Sequence, residues 1–145
     1  MVSKAFDYAL RSMVYMAAHP EENYFGVKEL SESIQVSKTY LGKILQDLVR
    51  HGYLKSVTGP GGGFGLQKEA KKITMKEVLE VVDGTRLEDN CILGQAECSD
   101  KNPCPIHETW KKQRKDLLTL FKKTTIEEAS KKSWPQFKTT AKVKK

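Results

Sequence analysis

All three cysteines of this 145-residue chain lie in one short stretch, together with one of its three histidines. Six residues separate Cys91 from Cys98, five separate Cys98 from Cys104, and two separate Cys104 from His107. Thiolates and imidazoles bind soft metal ions and iron-sulfur clusters. Because three cysteines cannot all pair with one another, and a reducing compartment disfavours disulfides, the stretch predicts metal binding or thiol chemistry.

The spacing leaves four interpretations of this stretch open. The first is an iron-sulfur cluster on the three cysteines and one further ligand, because loop ligands this widely spaced can surround an object larger than one ion. The second is a zinc ion on the three cysteines and His107, although the chain lacks the close Cys-x-x-Cys pair of many zinc sites. The third is thiol redox chemistry without a metal, and the fourth is inert cysteines.

The residues before the cysteines predict a helix-turn-helix. Apolar residues recur at helical spacing over residues 3–18, and Pro20 follows the end of that pattern. A second helix is predicted over residues 27–33 and a third from residue 37 to a glycine-type end at residue 52. The connection between them is short, as in a helix-turn-helix.

The third helix has a polar and basic outer face opposite its apolar stripe. In a helix-turn-helix, residues near the start of the second helix reach base edges, and neighbouring side chains contact phosphates. The residues expected to contact DNA here are Ser37, Lys38, Thr39, Tyr40, Lys43, Gln46 and Arg50.

A glycine-rich hairpin is predicted directly after the third helix. Residues 53–58 and 64–67 read as strands, and Gly-Pro-Gly-Gly-Gly over residues 59–63 reads as the turn. A phosphate-cradling loop would run from a strand into a helix and continue with Lys-Ser or Lys-Thr, which does not follow here. A hairpin in this position is the wing of a winged helix.

The second half of the chain predicts three further helices. Thr74 and Glu77 offer a capping box for a helix ending at Asp83, and Thr125 with Glu128 offers another for a short last helix. Between them Pro105 is suited to the first turn of a helix reaching about Thr124. One face of this helix carries a repeating stripe, which is expected to pair with a second copy of the chain or, alternatively, to pack on its own domain. The stripe comprises Ile106, Trp110, Gln113, Leu117 and Leu120, with Phe121 beside them.

The predicted fold class is mainly α with a small β-hairpin wing, that is, a winged helix-turn-helix plus a long C-terminal dimerisation helix. The winged helix-turn-helix is assigned to residues 1–84 and the cysteine-rich loop to residues 85–104. The dimerisation helix and short terminal helix occupy residues 105–133, and a basic flexible tail residues 134–145.

The net charge of +7 is unevenly distributed. Residues 111–145 carry 12 basic and 3 acidic groups, whereas residues 1–110 carry 13 basic and 15 acidic groups. Only a local cluster can therefore mark a DNA-facing surface, and Lys38, Lys43, Arg50 and Lys55 around Asp47 supply one. No segment approaches the ~18 apolar residues of a membrane span. We therefore expect a soluble, cytoplasmic protein that does not bind membranes.

The sequence resembles the Rrf-type winged-helix family, which includes iron-sulfur cluster regulators and nitric-oxide-sensing repressors. The resemblance extends to about Ser133 and includes the three cysteines before a long helix. Its other motifs are Phe6-Asp-Tyr-Ala-Leu-Arg11, Val36-Ser-Lys-Thr-Tyr-Leu41, Ser56-Val-Thr-Gly-Pro-Gly-Gly-Gly-Phe64 and Val78-Leu-Glu-Val-Val-Asp-Gly84.

This resemblance implies a homodimer that binds a pseudo-palindromic operator in double-stranded DNA. The wings would touch adjacent minor grooves through Thr58, Gly59, Gly61 and Gly62. Two positions depart from the family: Gly42 stands where relatives often carry Glu or Gln, and Thr58 stands where the wing commonly carries Arg. The operator of relatives therefore cannot be transferred to this chain.

The resemblance also implies one cluster per subunit, [2Fe-2S] or [4Fe-4S], bound by Cys91, Cys98 and Cys104. Two candidates for the fourth ligand are present. His107 matches the histidine that completes a [2Fe-2S] site in the cluster regulators, whereas Asp7 matches the aspartate that nitric-oxide sensors donate from the partner subunit to a [4Fe-4S] cluster. Without that role, His107 would start a helix in solvent and Asp7 would pair with Arg11 at i,i+4.

The sequence therefore predicts a DNA-binding transcriptional regulator, a repressor in preference to an activator. It would sense iron-sulfur status, redox state or nitric oxide through the cluster. The alternative is a zinc-binding or thiol-redox regulator or adaptor without an iron-sulfur cluster. An enzyme is not expected, because His19 and His51 lie at helix ends and no nucleophile-base pairing is recognisable.

Overall fold

A computed structural model describes residues 3–132 of the chain. Over this range the fold is mainly helical with one two-stranded sheet, as the sequence predicted. A 3₁₀ turn over Ala70–Lys72 follows the sheet. The elements in chain order are α1 (Lys4–Ala18), α2 (Val27–Ile34), α3 (Lys38–Arg50), β1 (Leu54–Val57), β2 (Gly63–Leu66), α4 (Met75–Asp83), α5 (Arg86–Asp89), α6 (His107–Lys123) and α7 (Ile126–Lys131).

Helix α1 lies at the centre of the core. Ser3 begins it as the N-cap, accepting a hydrogen bond from the Phe6 amide at 3.1 Å. Its buried stripe packs against α2, α3, α4 and α7, so one helix contacts both halves of the chain. The predicted helical spacing of apolar residues is confirmed, and the buried members include Phe6, Ala9 and Met13.

The helix-turn-helix is formed by α2 and α3. Gln35, between them, has a left-handed backbone with φ of 59°. The Arg11 side chain donates to the carbonyl oxygen of Ile34 at 2.9 Å, which ties the end of α2 to α1. Helix α3 buries an apolar stripe that includes Leu41 and Leu45, and the positive φ of Gly52 ends it as predicted.

The wing is the hairpin of β1 and β2, whose antiparallel register pairs Leu54 with Leu66. Phe25, just before α2, forms a bridge with Phe64 through two backbone hydrogen bonds of 2.7 and 2.8 Å. The base of the wing is therefore fixed to the start of α2. In the turn, a Cβ at Gly62 would lie 2.2 Å from the Val57 carbonyl oxygen, so only glycine fits there.

The C-terminal helices return to the winged unit. The Met75 amide donates to Thr124 at 2.9 Å and the Ile126 amide donates to Ile73 at 2.9 Å, joining the starts of α4 and α7. The threonine half of each predicted capping box forms: the Glu77 amide donates to Thr74 Oγ1 and the Glu128 amide to Thr125 Oγ1. Contacts thus cross the boundary predicted at residue 105.

Three features of this half differ from the sequence-based expectation. Helix α6 begins at His107, so Pro105 lies in the turn before it rather than in its first turn. The short helix α5 interrupts the stretch that was predicted as a loop. The stripe expected at a dimer interface is divided: Trp110 and Phe121 are buried within the chain, while Leu120 is 55% exposed. Part of the periodicity of α6 therefore reflects its own core.

No helix in residues 3–132 is long and apolar enough to cross a membrane.

Ile126 tests whether α7 belongs to the core. Its side chain is fully buried, and α7 packs on α1. Ile126→Ala is expected to lower the free energy of unfolding by about 2–5 kcal/mol, because the truncation leaves a cavity. Urea unfolding measures this. The control Val57→Ala, at a wing position 46% exposed, should change stability by less than about 0.5 kcal/mol. Equal effects of the two substitutions would contradict the packing of α7.

Candidate metal and DNA-binding sites

The cysteine segment, residues 90–106, connects α5 to α6 and is fixed at several points. The Cys98 amide donates to the Asp89 carbonyl at 2.9 Å, at the end of α5. The indole nitrogen of buried Trp110 donates to the Asn90 carbonyl at 2.7 Å, which joins the start of the segment to α6. Leu87 of α5 is buried in the main core. The segment is thus connected to the packed interior through both neighbouring helices.

The four predicted ligands form two pairs at the start of α6. Cys98 Sγ lies 3.3 Å from His107 Nδ1. The Cys104 thiol is near enough to Cys91 to contribute to lowering the pKa of Cys91, the Cys91 thiol donates to Gln95 Oε1 at 3.9 Å, and both of these cysteines are buried. The His107 amide donates to the Cys104 carbonyl at 3.0 Å, so the two pairs are adjacent. The structure therefore brings the predicted sulfur and nitrogen donors into one region.

Cys91 lies where a thiolate is stabilised. A hydrogen bond from the backbone of Gln95 is the largest cause that lowers the pKa of Cys91, followed by the backbone of Leu93, the Cys104 thiol and the backbone of Gly94. These donors outweigh the opposing effect of burial. Because the thiolate is the form that binds metals, this loop favours the ligand state of Cys91.

His107 is held by a chain of polar contacts that the spacing of residues in the sequence does not reveal. The ring is only 4% exposed, and its Nε2 lies 2.7 Å from Asp100 Oδ1. Lys111 contacts both oxygens of Asp100, at 3.0 and 3.1 Å. The hydrogen bond from His107, with Lys111 beside it, lowers the pKa of Asp100, and Asp100 raises the pKa of Lys111.

This arrangement defines the direction of the imidazole. When Nε2–H donates to the Asp100 carboxylate, Nδ1 keeps its lone pair and faces Cys98. Histidine ligands of metals commonly have their other nitrogen held by a carboxylate in this way. In the sequence, Asp100 is the carboxylate residue between the candidate ligands Cys98 and Cys104. Its position along the chain did not by itself predict the contact with His107.

The three cysteine sulfurs of the described residues are not arranged as a preformed site for a single metal ion. Within residues 3–132, the one set of at least three ligand atoms within 4.8 Å of one another is Asp100, His107 and Glu108. Asp100 is already paired with Lys111. A tetrahedral zinc site, with Zn–S bonds of about 2.3 Å, would place sulfurs about 4 Å apart, and the three cysteine sulfurs do not form such a set.

Asp7 lies in a different environment. Its carboxylate accepts hydrogen bonds from Arg11 Nε at 2.7 Å and from Arg11 Nη2 at 3.0 Å, forming the expected i,i+4 pair. The adjacent Phe6 ring packs on Phe121 near the end of α6, at 5.4 Å between centroids. His107, at the start of α6, is roughly 20 Å away along the helix axis. Within one chain the structure therefore does not bring Asp7 to the cysteines.

A groove of about 940 Å³ runs beside the outer face of α3. We call this the recognition groove; it is lined by Val27, Lys38, Thr39, Gly42, Lys43, Gln46, Asp47, Arg50 and Phe64. Five of the seven residues at and in α3 that were predicted to contact DNA therefore share one concave surface. The exceptions are Ser37, the N-cap of α3, and Tyr40, whose ring packs edge-on against Tyr8.

Two further features shape this surface. Asp47 forms an ion pair with Arg50, so one predicted phosphate contact has an acidic neighbour within the groove. The predicted wing residues Thr58, Gly59, Gly61 and Gly62 lie in the turn between β1 and β2. Thr58, Gly59 and Gly61 are exposed. Of the four cations in the predicted basic cluster, Lys38, Lys43 and Arg50 line this groove, whereas Lys55 lies on β1 over the Tyr24 ring.

A helix-turn-helix followed by a β-hairpin, with basic side chains along the second helix, defines a winged-helix DNA-binding protein. Residues 2–132 match the profile of the Rrf2 family, described as "Iron-dependent Transcriptional regulator". The chain belongs to the Rrf2 family of transcriptional regulators, in agreement with the resemblance recognised in the sequence, and its relatives are not enzymes.

The chain is similar to regulators with known names. It is 32% identical over 123 residues to a putative HTH-type transcriptional regulator of Aquifex aeolicus, covering 83% of this chain and 85% of that protein. It is 30% identical over 125 residues to the HTH-type transcriptional regulator IscR of Photorhabdus laumondii, covering 83% and 73%.

Two solved structures share the fold. CymR, the global cysteine regulator of B. subtilis, has a TM-score of 0.73 at 23% identity, covering 90% of this chain and 95% of CymR. IscR of T. potens has a TM-score of 0.69 at 23% identity, covering 88% and 84%.

The role of Asp100 can be tested in the metal-free protein. Asp100→Ala should convert His107 from the Nε2–H tautomer to a mixture, because the acceptor for Nε2–H is lost. Ring ¹⁵N chemical shifts of His107 report the tautomer. Glu108→Ala is the matched control, since Glu108 Oε1 lies 4.0 Å from Nε2 and its side chain is 87% exposed. If the tautomer is the same in Asp100→Ala as in the unmodified chain, Asp100 does not orient the ring.

Proposed function

We propose that the protein is a transcriptional repressor that binds operator DNA as a homodimer and senses iron-sulfur status, redox state or nitric oxide through a cluster, one per subunit. Cys91, Cys98, Cys104 and His107 would hold the cluster. The observation that carries the proposal is the buried His107 ring, which has Nδ1 facing Cys98 and Nε2 facing Asp100. Acting on chromosomal DNA, the protein would work in the cytoplasm.

The chain's own residues supply what a cluster needs from a protein. Backbone hydrogen bonds around Cys91 favour a thiolate, and Asp100 with Lys111 aims the His107 lone pair. When bound, the iron-sulfur group supplies a centre that reacts with nitric oxide and oxygen or changes oxidation state. If His107, at the start of α6, were the fourth ligand, the cluster would need no carboxylate from Asp7. The similarity to IscR proteins supports this assignment.

A path of packed helices leads from the cysteine segment to the recognition helix α3. Helix α6 contacts α4, and α4 contacts α3. The Phe6 and Phe121 rings also join α6 to α1, which contacts α3 directly. A change in the cysteine segment that shifts α6 therefore acts on helices that support α3. In a dimer, such a shift would change the distance between the two recognition helices, which must match about one turn of DNA, 34 Å.

The recognition groove and wing fit the two parts of a winged-helix contact. Lys38, Lys43 and Arg50 would contact phosphates, and Thr39 and Gln46 would reach base edges. The wing turn at residues 58–62 would lie against an adjacent minor groove. The dimer interface would use exposed apolar residues of α6 and of the cysteine segment, namely Ile92, Leu93, Ile106 and Leu120. The two-fold symmetry of such a dimer would make the operator pseudo-palindromic.

A regulator that uses its thiols without a cluster is the second candidate. Cys91 has a lowered pKa, and the Cys104 thiol contacts it, so the two could react with an oxidant. The chain shares its fold with CymR, which is named as a global cysteine regulator, and this similarity is compatible with the second candidate. Both cysteines are buried, which slows direct oxidation of their thiols.

Anaerobic reconstitution with iron and sulfide distinguishes these candidates. The unmodified chain should gain visible absorption with iron and sulfide in stoichiometric amounts, and Cys98→Ala should lose them because one ligand is missing. His107→Ala should retain less iron, whereas the control His19→Ala should load normally, since His19 packs on Tyr15 in α1. A protein that takes up zinc, or no metal, under these conditions contradicts the cluster.

Salt dependence tests the DNA interface. Each lysine that neutralises a phosphate contributes about 0.9 to the slope of log K against log salt concentration. Lys43→Ala is expected to weaken binding to duplex DNA of any sequence and to reduce this slope by about 1. Lys131→Ala, on α7, is the control for removing one exposed positive charge. If both variants bind with the slope of the unmodified chain, Lys43 does not contact phosphate.

A further inference from the structure

Gly42 is a glycine that the fold itself does not require. It lies in the middle of α3, where glycine destabilises a helix relative to alanine. Its φ is not in the left-handed region, and a Cβ built there would meet just one atom within 4 Å, Val27 Cγ2 at 4.0 Å. That distance is ordinary van der Waals contact. An alanine would fit the described structure, so the missing side chain calls for a reason outside the chain.

The surroundings of Gly42 indicate what that reason is. Gly42 and half-buried Val27 line the recognition groove, and Phe64, at the base of the wing, lies in the same lining. Lys38 and Lys43 line it too and are exposed, so the groove has apolar surface beside positive charge. This combination is complementary to DNA, with phosphates meeting the cations and base edges meeting the groove.

We propose that Gly42 and Val27 form an apolar subsite that receives the 5-methyl group of a thymine in the major groove. The inference rests on the proposed function, in which α3 enters that groove. Major-groove edges present hydrogen-bond donors and acceptors and one apolar group, the thymine methyl. At Gly42 the helix offers a bare Cα and the nearby Val27 methyl, with no polar side-chain atom from either residue. The thymine methyl is the feature of a base pair that matches such a surface.

The test uses duplexes enriched from a random pool by the full-length protein. Each thymine of the enriched duplex is replaced in turn by deoxyuridine, which lacks only the methyl group. At one thymine in each half-site, the unmodified chain should bind about fourfold more weakly, the equivalent of burying one methyl group. Gly42→Ala should weaken binding to the thymine duplex and remove this difference by filling the subsite. Val27→Ala should reduce the affinity difference between the thymine and deoxyuridine duplexes, because it removes the side chain that forms one side of the subsite.

Matched variants separate the subsite from general damage. Gln46→Ala should weaken binding to both duplexes and keep the thymine preference, because Gln46 lines the same groove with a polar side chain. Gly42→Ala should keep or raise the thermal midpoint of the protein. Should that variant misfold, Val27→Ala still reports the preference.

The outcomes distinguish the two proposals. If no duplex is enriched and binding shows no salt dependence, the proposed function is wrong and the subsite falls with it. If a duplex is enriched but none of its thymines responds to deoxyuridine, the subsite alone is wrong. A response that persists unchanged in both Gly42→Ala and Val27→Ala also overturns the subsite, while DNA recognition stands.

Discussion

The connection between the cysteine segment and α6 depends on the burial of one imidazole. His107 is 4% exposed, and its two nitrogens face Cys98 and Asp100. A buried polar ring is tolerated when its nitrogens have partners, and here those partners come from the cysteine segment. The first residue of α6 is thereby tied to the segment that carries the sulfurs. Any ligand that takes Cys98 must also change the contact at the start of α6.

This constraint matters because α6 is part of a single core. Trp110 near its start and Phe121 near its end are both buried, and the Phe121 ring packs at a tilt against Phe6 of α1. Helix α1 in turn packs on α3, which carries the recognition groove. Packed interiors transmit small displacements because they lack free volume to absorb them. The same contacts that stabilise the fold therefore connect the sulfur donors to the DNA-facing helix.

Local signals predicted most of the fold. The apolar spacing of α1, the glycine at residue 52 and the capping residue Thr74 act within one turn of chain, so the sequence displays them directly. The start of α6 was placed too early, because Pro105 suits a first helical turn but also suits the turn before one. The stripe of α6 favours pairing with a second copy, with packing on its own domain as the alternative, because periodicity identifies a buried face without identifying what covers it. In the structure Trp110 packs within the chain, while Leu120 stays exposed.

In the candidate sites, too, residue types were predictable from the sequence, whereas contacts between distant residues were not. The cysteines and His107 were recognisable from residue type, but the Asp100–His107 contact depends on how a loop folds back on a helix, which spacing does not reveal.

The link between the cysteine segment and DNA binding is tested most directly by measuring the affinity of one operator duplex for the cluster-loaded and for the metal-free protein at equal salt. The two affinities should differ by at least about fivefold, the lower range of typical coupling between sites. Equal affinities would contradict any link between the cysteine segment and DNA binding.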